Sequence, residues 1–93
     1  MEELRDRPFH KHVELEPRFG KRRTVRTVLD AGRVLVREWP GEGGPKKMKA
    51  MATVLAALKG RCKPSKARTA LIEAAKADRI LAADREDFPE AAE

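Results

Sequence analysis

Residues 63–81, KPSKARTALIEAAKADRIL, constrain this chain more than any other stretch, because they alone combine a helix start, a clean apolar face and an abrupt stop. Pro64 suits the first helical position, where its missing N–H leaves no intrahelical bond unmade and its fixed φ is already helical. Ser65 is the competing cap. Ala67, Ala70, Leu71, Ala74 and Ala75 recur at three and four residues and so share one stripe facing a core, with Arg68, Glu73 and Lys76 toward water. Alanine has the best helix propensity and leaves little side chain between backbones, so this helix is expected to pack closely. The periodicity ends at Ala77-Asp78-Arg79, and Ile80-Leu81 reads as a turn into a short strand or a final apolar anchor.

A chain of 93 residues forms one domain, and on folding it removes from water roughly 60 to 70% of the surface its unfolded form exposes. One modest core is expected. No apolar run approaches the roughly 18 residues needed to span a bilayer, and Met1-Glu2-Glu3-Leu4-Arg5 lacks the basic start and apolar stretch of an export signal, so a cytoplasmic location is the expectation. Cys62 has no second cysteine to pair with, in keeping with a reducing compartment.

The net charge of +6 is unevenly spread. Residues 18–79 hold 17 Lys and Arg against 5 Asp and Glu. From Ile80 onward Arg85 faces Asp84, Glu86, Asp87, Glu90 and Glu93. Residues 84–93 are therefore expected to be an acidic, mobile tail, with Phe88 as the one side chain able to dock back. Residues 1–8 mix both charges without periodicity and read as a loose lead-in, which leaves 9–83 as the domain proper.

Within that domain, Phe9, Lys11, Val13 and Leu15 alternate with His10, His12, Glu14 and Glu16 up to Pro17, the period of a strand. Turn residues follow, and Arg23-Thr24-Val25-Arg26 resumes with β-branched side chains, which predicts a hairpin over 9–26. Thr27 and Asp30 stand at capping-box spacing, although Asp reaches back less easily than Glu. They open a helix over 28–39 that places Val28, Ala31, Leu35 and Trp39 on one face with Val34 beside them. Gly32 costs that helix about 1 kcal/mol relative to Ala and predicts close contact with a neighbouring backbone. Pro40 stops it, and Gly41 to Pro45 form a flexible connection.

A second helix is expected over 46–59, where Met48, Met51, Ala52, Leu55 and Leu58 recur at helical spacing, Val54 and Ala57 widen the stripe, and Gly60 marks the stop. Lys46, Lys47 and Lys49 crowd its first turn, where the helix dipole disfavours positive charge by about 0.3 to 1 kcal/mol each. The third helix spans 64–77, and a short strand is expected at 80–82. Together these elements predict a small α+β fold, an antiparallel β-hairpin packed against about three helices with a short C-terminal strand. Val13, Leu15, Val25, Ala31, Leu35, Trp39, Met51, Leu55, Leu58, Leu71, Ala74 and Ile80 are the expected core, with Trp39 its largest member.

The order and spacing of Arg23-Thr24-Val25 with Thr27 and Ala31, Leu35 with Trp39-Pro40, Ala57-Leu58 with Gly60, and Ala67-Arg68, Ala70, Ile72, Ala74-Ala75 and Ile80 carry a resemblance over most of the chain. The chain resembles a small bacterial family known as "domain of unknown function 982", familiar from rhizobia and related alphaproteobacteria. The resemblance implies a compact α+β domain in a soluble bacterial protein and supplies no activity, cofactor or catalytic residue. Two departures stand out: Leu71 occupies a place where the family tends to carry Phe, and Asp78-Arg79 replaces a small Ala-Gly pair before Ile80.

The functional expectations rest on charge. Arg18, Lys21, Arg22, Arg23 and Arg26 gather around the hairpin, and Lys46, Lys47 and Lys49 join them if the second helix opens nearby. Such a patch attracts phosphates, with a steep salt dependence. His10 and His12 share a strand face and Cys62 is a third soft ligand, but without zinc-module spacing solvated histidines are the plainer reading. Arg61 and Lys63 flank Cys62 in sequence, yet no base or phosphate loop accompanies it, so no catalytic residue, metal or cofactor is expected. The expected function is a non-enzymatic accessory or protein-interaction module with the basic hairpin as contact surface, able to form a homodimer through its open strand edges. The alternative is nucleic-acid binding through the same hairpin.

Overall fold

A computed structural model describes residues 4–17 and 21–82. Two strands lead three helices: β1 (Pro8–Leu15), β2 (Arg23–Thr27), α1 (Val28–Arg37), α2 (Pro45–Leu58) and α3 (Pro64–Ala77). The strands pair antiparallel, with Val13 opposite Val25, Glu14 opposite Thr24 and Leu15 opposite Arg23. The register is irregular between the Pro8–Thr27 and Val13–Val25 pairs, so β1 bulges there. Alternation holds at both ends of the bulge, and Phe9, Val13 and Leu15 are buried. In place of an extended third strand, Leu81 forms an isolated antiparallel bridge with Leu15, and the Glu16 N–H donates to the Ile80 carbonyl at 2.6 Å. Residues 84–93 lie outside the described residues.

α3 packs on β1, α1 packs on β2, and α2 packs on α3 and α1 rather than on the sheet. Small side chains make the α2–α3 contact close: Ala50 and Ala57 on α2 and Ala67, Ala74 and Ala75 on α3 are all buried. Around them Val25, Val28, Val34, Leu35, Leu71 and Ile80 complete one core.

Each helix boundary has a local cause. The Thr27 side chain accepts the Asp30 N–H at 3.0 Å. Asp30 in turn reaches back one residue beyond the cap and accepts the Arg26 N–H at 3.3 Å. α2 and α3 both open on proline with no side-chain cap, so Lys63 is the N-cap of α3 and Ser65 lies inside it. Both also close in a Schellman turn. After α2, Gly60 at φ 80° donates to Ala57 O, and Arg61 to Ala56 O. After α3, Arg79 at φ 60° donates to Lys76 O, and Ile80 to Ala75 O.

Three expectations about the core need correction. Leu55 is 45% exposed, and Met51 is half-buried. α2 is apolar nearly all round, so its bulky stripe did not mark the inward face. The protein buries Ala50, Val54 and Ala57, whose smaller side chains let α2 approach its neighbours, together with Leu58, which the bulky stripe does place inward. Trp39 is also half-buried, because α1 ends at Arg37 and the indole lies beyond the helix. Gly32 does mark a close approach, but to a side chain: a Cβ there would stand 3.3 Å from Val54 Cγ1.

Residues 4–7 have no regular structure, yet their backbone is bonded. The Arg5 N–H donates to Leu58 O and the Val28 N–H to Arg7 O, both at 2.9 Å. The Leu29 N–H donates to Asp6 Oδ1 at 2.8 Å. The start of α1 and the end of α2 therefore meet at one segment.

Candidate functional site

The basic residues singled out by sequence fall into separate places. Lys21, Arg22 and Arg23 line a cavity of about 410 Å³ with Pro17, Val34 and Glu38. Two of these charges are engaged there. Arg22 Nη2 lies 3.1 Å from Glu16 Oε1, and Arg23 pairs with Glu38. Arg26 is exposed on β2. Arg18 lies outside the described residues.

Lys46 and Lys49 instead line a groove of about 520 Å³ between α2 and α3, with Lys66, the hydroxyl residues Thr53, Ser65 and Thr69, and one carboxylate, Glu73. No hairpin residue lines this groove among the described residues. Lys46 Nζ is 3.6 Å from Glu73 Oε1, while the Thr53 hydroxyl donates back to Lys49 O at 2.8 Å. Lys47 is half-buried on another side of α2, where a Cβ on Gly43 would stand 3.0 Å from its Cδ. Lys66, Ser65 and Thr69 are not among the residues that charge clustering along the chain points to. The available signal was that both helices open on lysine instead of an acidic residue, but joining the two required the antiparallel pairing of α2 and α3.

His10 and His12 are exposed on β1, and the half-buried Cys62 thiol donates to Thr53 O at 3.7 Å. No group of three or more His, Cys, Asp or Glu able to hold a metal occurs among the described residues.

Both strands of the hairpin carry contacts from outside the sheet. Arg68 Nε donates to Lys11 O at 2.8 Å, Leu81 bridges Leu15, and Asp30 takes the Arg26 N–H. Apolar surface is exposed elsewhere. Leu29 is 43% exposed, Val36 64%, Met48 64% and Leu55 45%. Leu29 and Val36 lie three residues before and four after Gly32, on the side where α1 meets Val54 of α2. Leu55 follows Val54, and Met48 lies two turns earlier on the same side of α2. The short connection makes α1 and α2 antiparallel neighbours, so these residues flank one seam. Leu4, 56% exposed, extends it beside Leu58.

A family model described as "Protein of unknown function (DUF982)" matches residues 12–82. The chain belongs to this family. No curated protein and no solved structure matches it. Asp78 and Arg79, at the end of the matched helix α3, each have a structural role. Asp78 Oδ2 accepts the Trp39 indole N–H at 2.7 Å and the Gly43 N–H at 3.0 Å, bonds that alanine cannot make. Arg79 holds the left-handed conformation that glycine adopts without strain. The DUF982 chain has no helix, among its described residues, long and apolar enough to cross a membrane.

Proposed function

We propose that this DUF982 protein is a non-enzymatic cytoplasmic interaction module that docks a partner protein along the α1–α2 seam. One observation carries the reading: four large apolar side chains, Leu29, Val36, Met48 and Leu55, stand exposed on two adjoining helices. Exposed apolar surface gathered in one place marks interaction sites more often than isolated residues do.

Charge selects the occupant. α2 carries no carboxylate, and Arg33 and Arg37 are exposed along the flank of α1. A second copy brought face to face would set these like charges against one another. An amphipathic helix with an apolar stripe and acidic flanks meets both the apolar seam and its basic rim.

A photo-crosslinking amino acid at position 55, irradiated in host cells, tests this when the linked segment is sequenced by mass spectrometry. Adducts to an acidic amphipathic helix of another protein support the docking. Adducts to a second copy would replace the partner by self-association, and adducts no more frequent than from a probe at the exposed Lys76 overturn the reading.

A further inference from the structure

We infer that the groove between α2 and α3 binds a phosphate-rich linear polyanion, a function separate from docking at the α1–α2 seam. Three lysines from two helices, Lys46, Lys49 and Lys66, converge on it against the single carboxylate of Glu73. Glu73 is already beside Lys46. Lys49 and Lys66 have no salt bridge among the described residues.

The positive charge is concentrated by the packing. Ala50, Ala57, Ala67 and Ala74 are buried and let the two helices approach, which sets lysines from both along one groove. Each helix also begins with lysine in its first turn, with no acidic residue there and no capping side chain, so the positive helix ends, one toward each end of the antiparallel groove, add to the lysine charge locally. An anion laid between them relieves both repulsions. Ser65 and Thr69 bring hydroxyls that donate to phosphate oxygens, and neither side chain has a hydrogen bond among the described residues.

The hairpin cluster is the weaker candidate. Arg22 and Arg23 face Glu16 and Glu38, and an incoming phosphate would have to compete with those carboxylates. The groove is open and its charges are spread along it: because α2 and α3 are antiparallel, Lys46 lies beside Glu73 toward one end, and Thr53 and Lys66 lie toward the other. That shape suits consecutive phosphates of a chain better than one compact anion.

Fluorescence anisotropy with labelled single-stranded DNA, single-stranded RNA and inorganic polyphosphate, each against salt, provides the test. Three lysine–phosphate contacts predict a log–log salt slope of about −2 on a single strand, or roughly a twentyfold loss of affinity between 50 and 200 mM salt. Lys49→Ala and Lys66→Ala should each lower that slope by about 0.7. Glu73→Gln should strengthen binding, and Arg22→Ala with Arg23→Ala should leave the slope unchanged. Because all these side chains are at the surface, unchanged melting identifies a folded variant. Preference among the three probes names the source of the phosphates. Slopes that respond to Arg22 and Arg23 instead, or flat titrations with all three probes at 50 mM salt, overturn the assignment.

Discussion

Trp39 and Asp78, 39 residues apart, are joined by a 2.7 Å hydrogen bond from the indole N–H to the carboxylate. The same oxygen accepts the Gly43 N–H at 3.0 Å, so one side chain ties the end of α1 and the α1–α2 connection to the C-terminus of α3. The fit is tight: a Cβ on Gly41 would stand 2.5 Å from that oxygen. Hydrogen bonds to charged groups contribute about 1.5 to 3 kcal/mol. Asp78→Ala should therefore lower stability by about 2 kcal/mol and shift the single tryptophan's emission to the red, whereas Asp78→Asn, which keeps an acceptor, should lose less. Thermal melts followed by fluorescence measure both, and an unshifted Asp78→Ala emission would count against the bond.

Arg79 at φ 60° occupies the position that Gly60 holds in the matching turn after α2. A left-handed conformation costs a side-chain-bearing residue roughly 1 to 2 kcal/mol. Arg79→Gly should thus stabilise the protein by about 1 kcal/mol, partly offset by the greater freedom of glycine in the unfolded chain. Gly60→Ala should destabilise it by a similar amount. In a domain of this size about 1 kcal/mol moves the melting temperature by roughly 4 to 8 °C, which calorimetry resolves.

The orientation of α2 is tested by two leucines one turn apart. Leu58 is 6% exposed and Leu55 45%. Leu58→Ala should cost about 2 to 5 kcal/mol, and Leu55→Ala should stay within about 0.5 kcal/mol of the parent. Chemical denaturation of the two variants distinguishes this inward face from the one the bulky stripe suggested.

Thr27 caps α1 through its hydroxyl. Thr27→Ala should lose about 1 kcal/mol, and Thr27→Ser should retain most of it. Equal losses from both substitutions would show that the methyl group, rather than the cap, supplies the stability.

Legibility in the sequence followed how local each cause is. α3 begins at Pro64 and ends at Ala77 as its proline and alanine stripe predict, and Thr27 caps α1 as its spacing with Asp30 predicts. The face of α2 was hidden because a helix apolar on most sides has no contrast to read. Trp39 lies shallower than its helical spacing predicts because its partner is Asp78, and no local pattern links residues so far apart. The basic residues were visible one by one, but their division was not. Whether Lys49 joins Arg22 or Lys66 depends on α2 packing against α3 and not against the hairpin.

The side-chain and single-bridge contacts along the hairpin have a further consequence. A bare two-stranded sheet invites other chains to add strands, the first step toward fibrillar aggregates. Here Arg68 holds the Lys11 carbonyl, Leu81 lies against Leu15 and Asp30 holds the Arg26 amide, so a newcomer must displace contacts from α3, the segment after it and α1. Access to the strands at these positions is thereby coupled to the helices remaining folded.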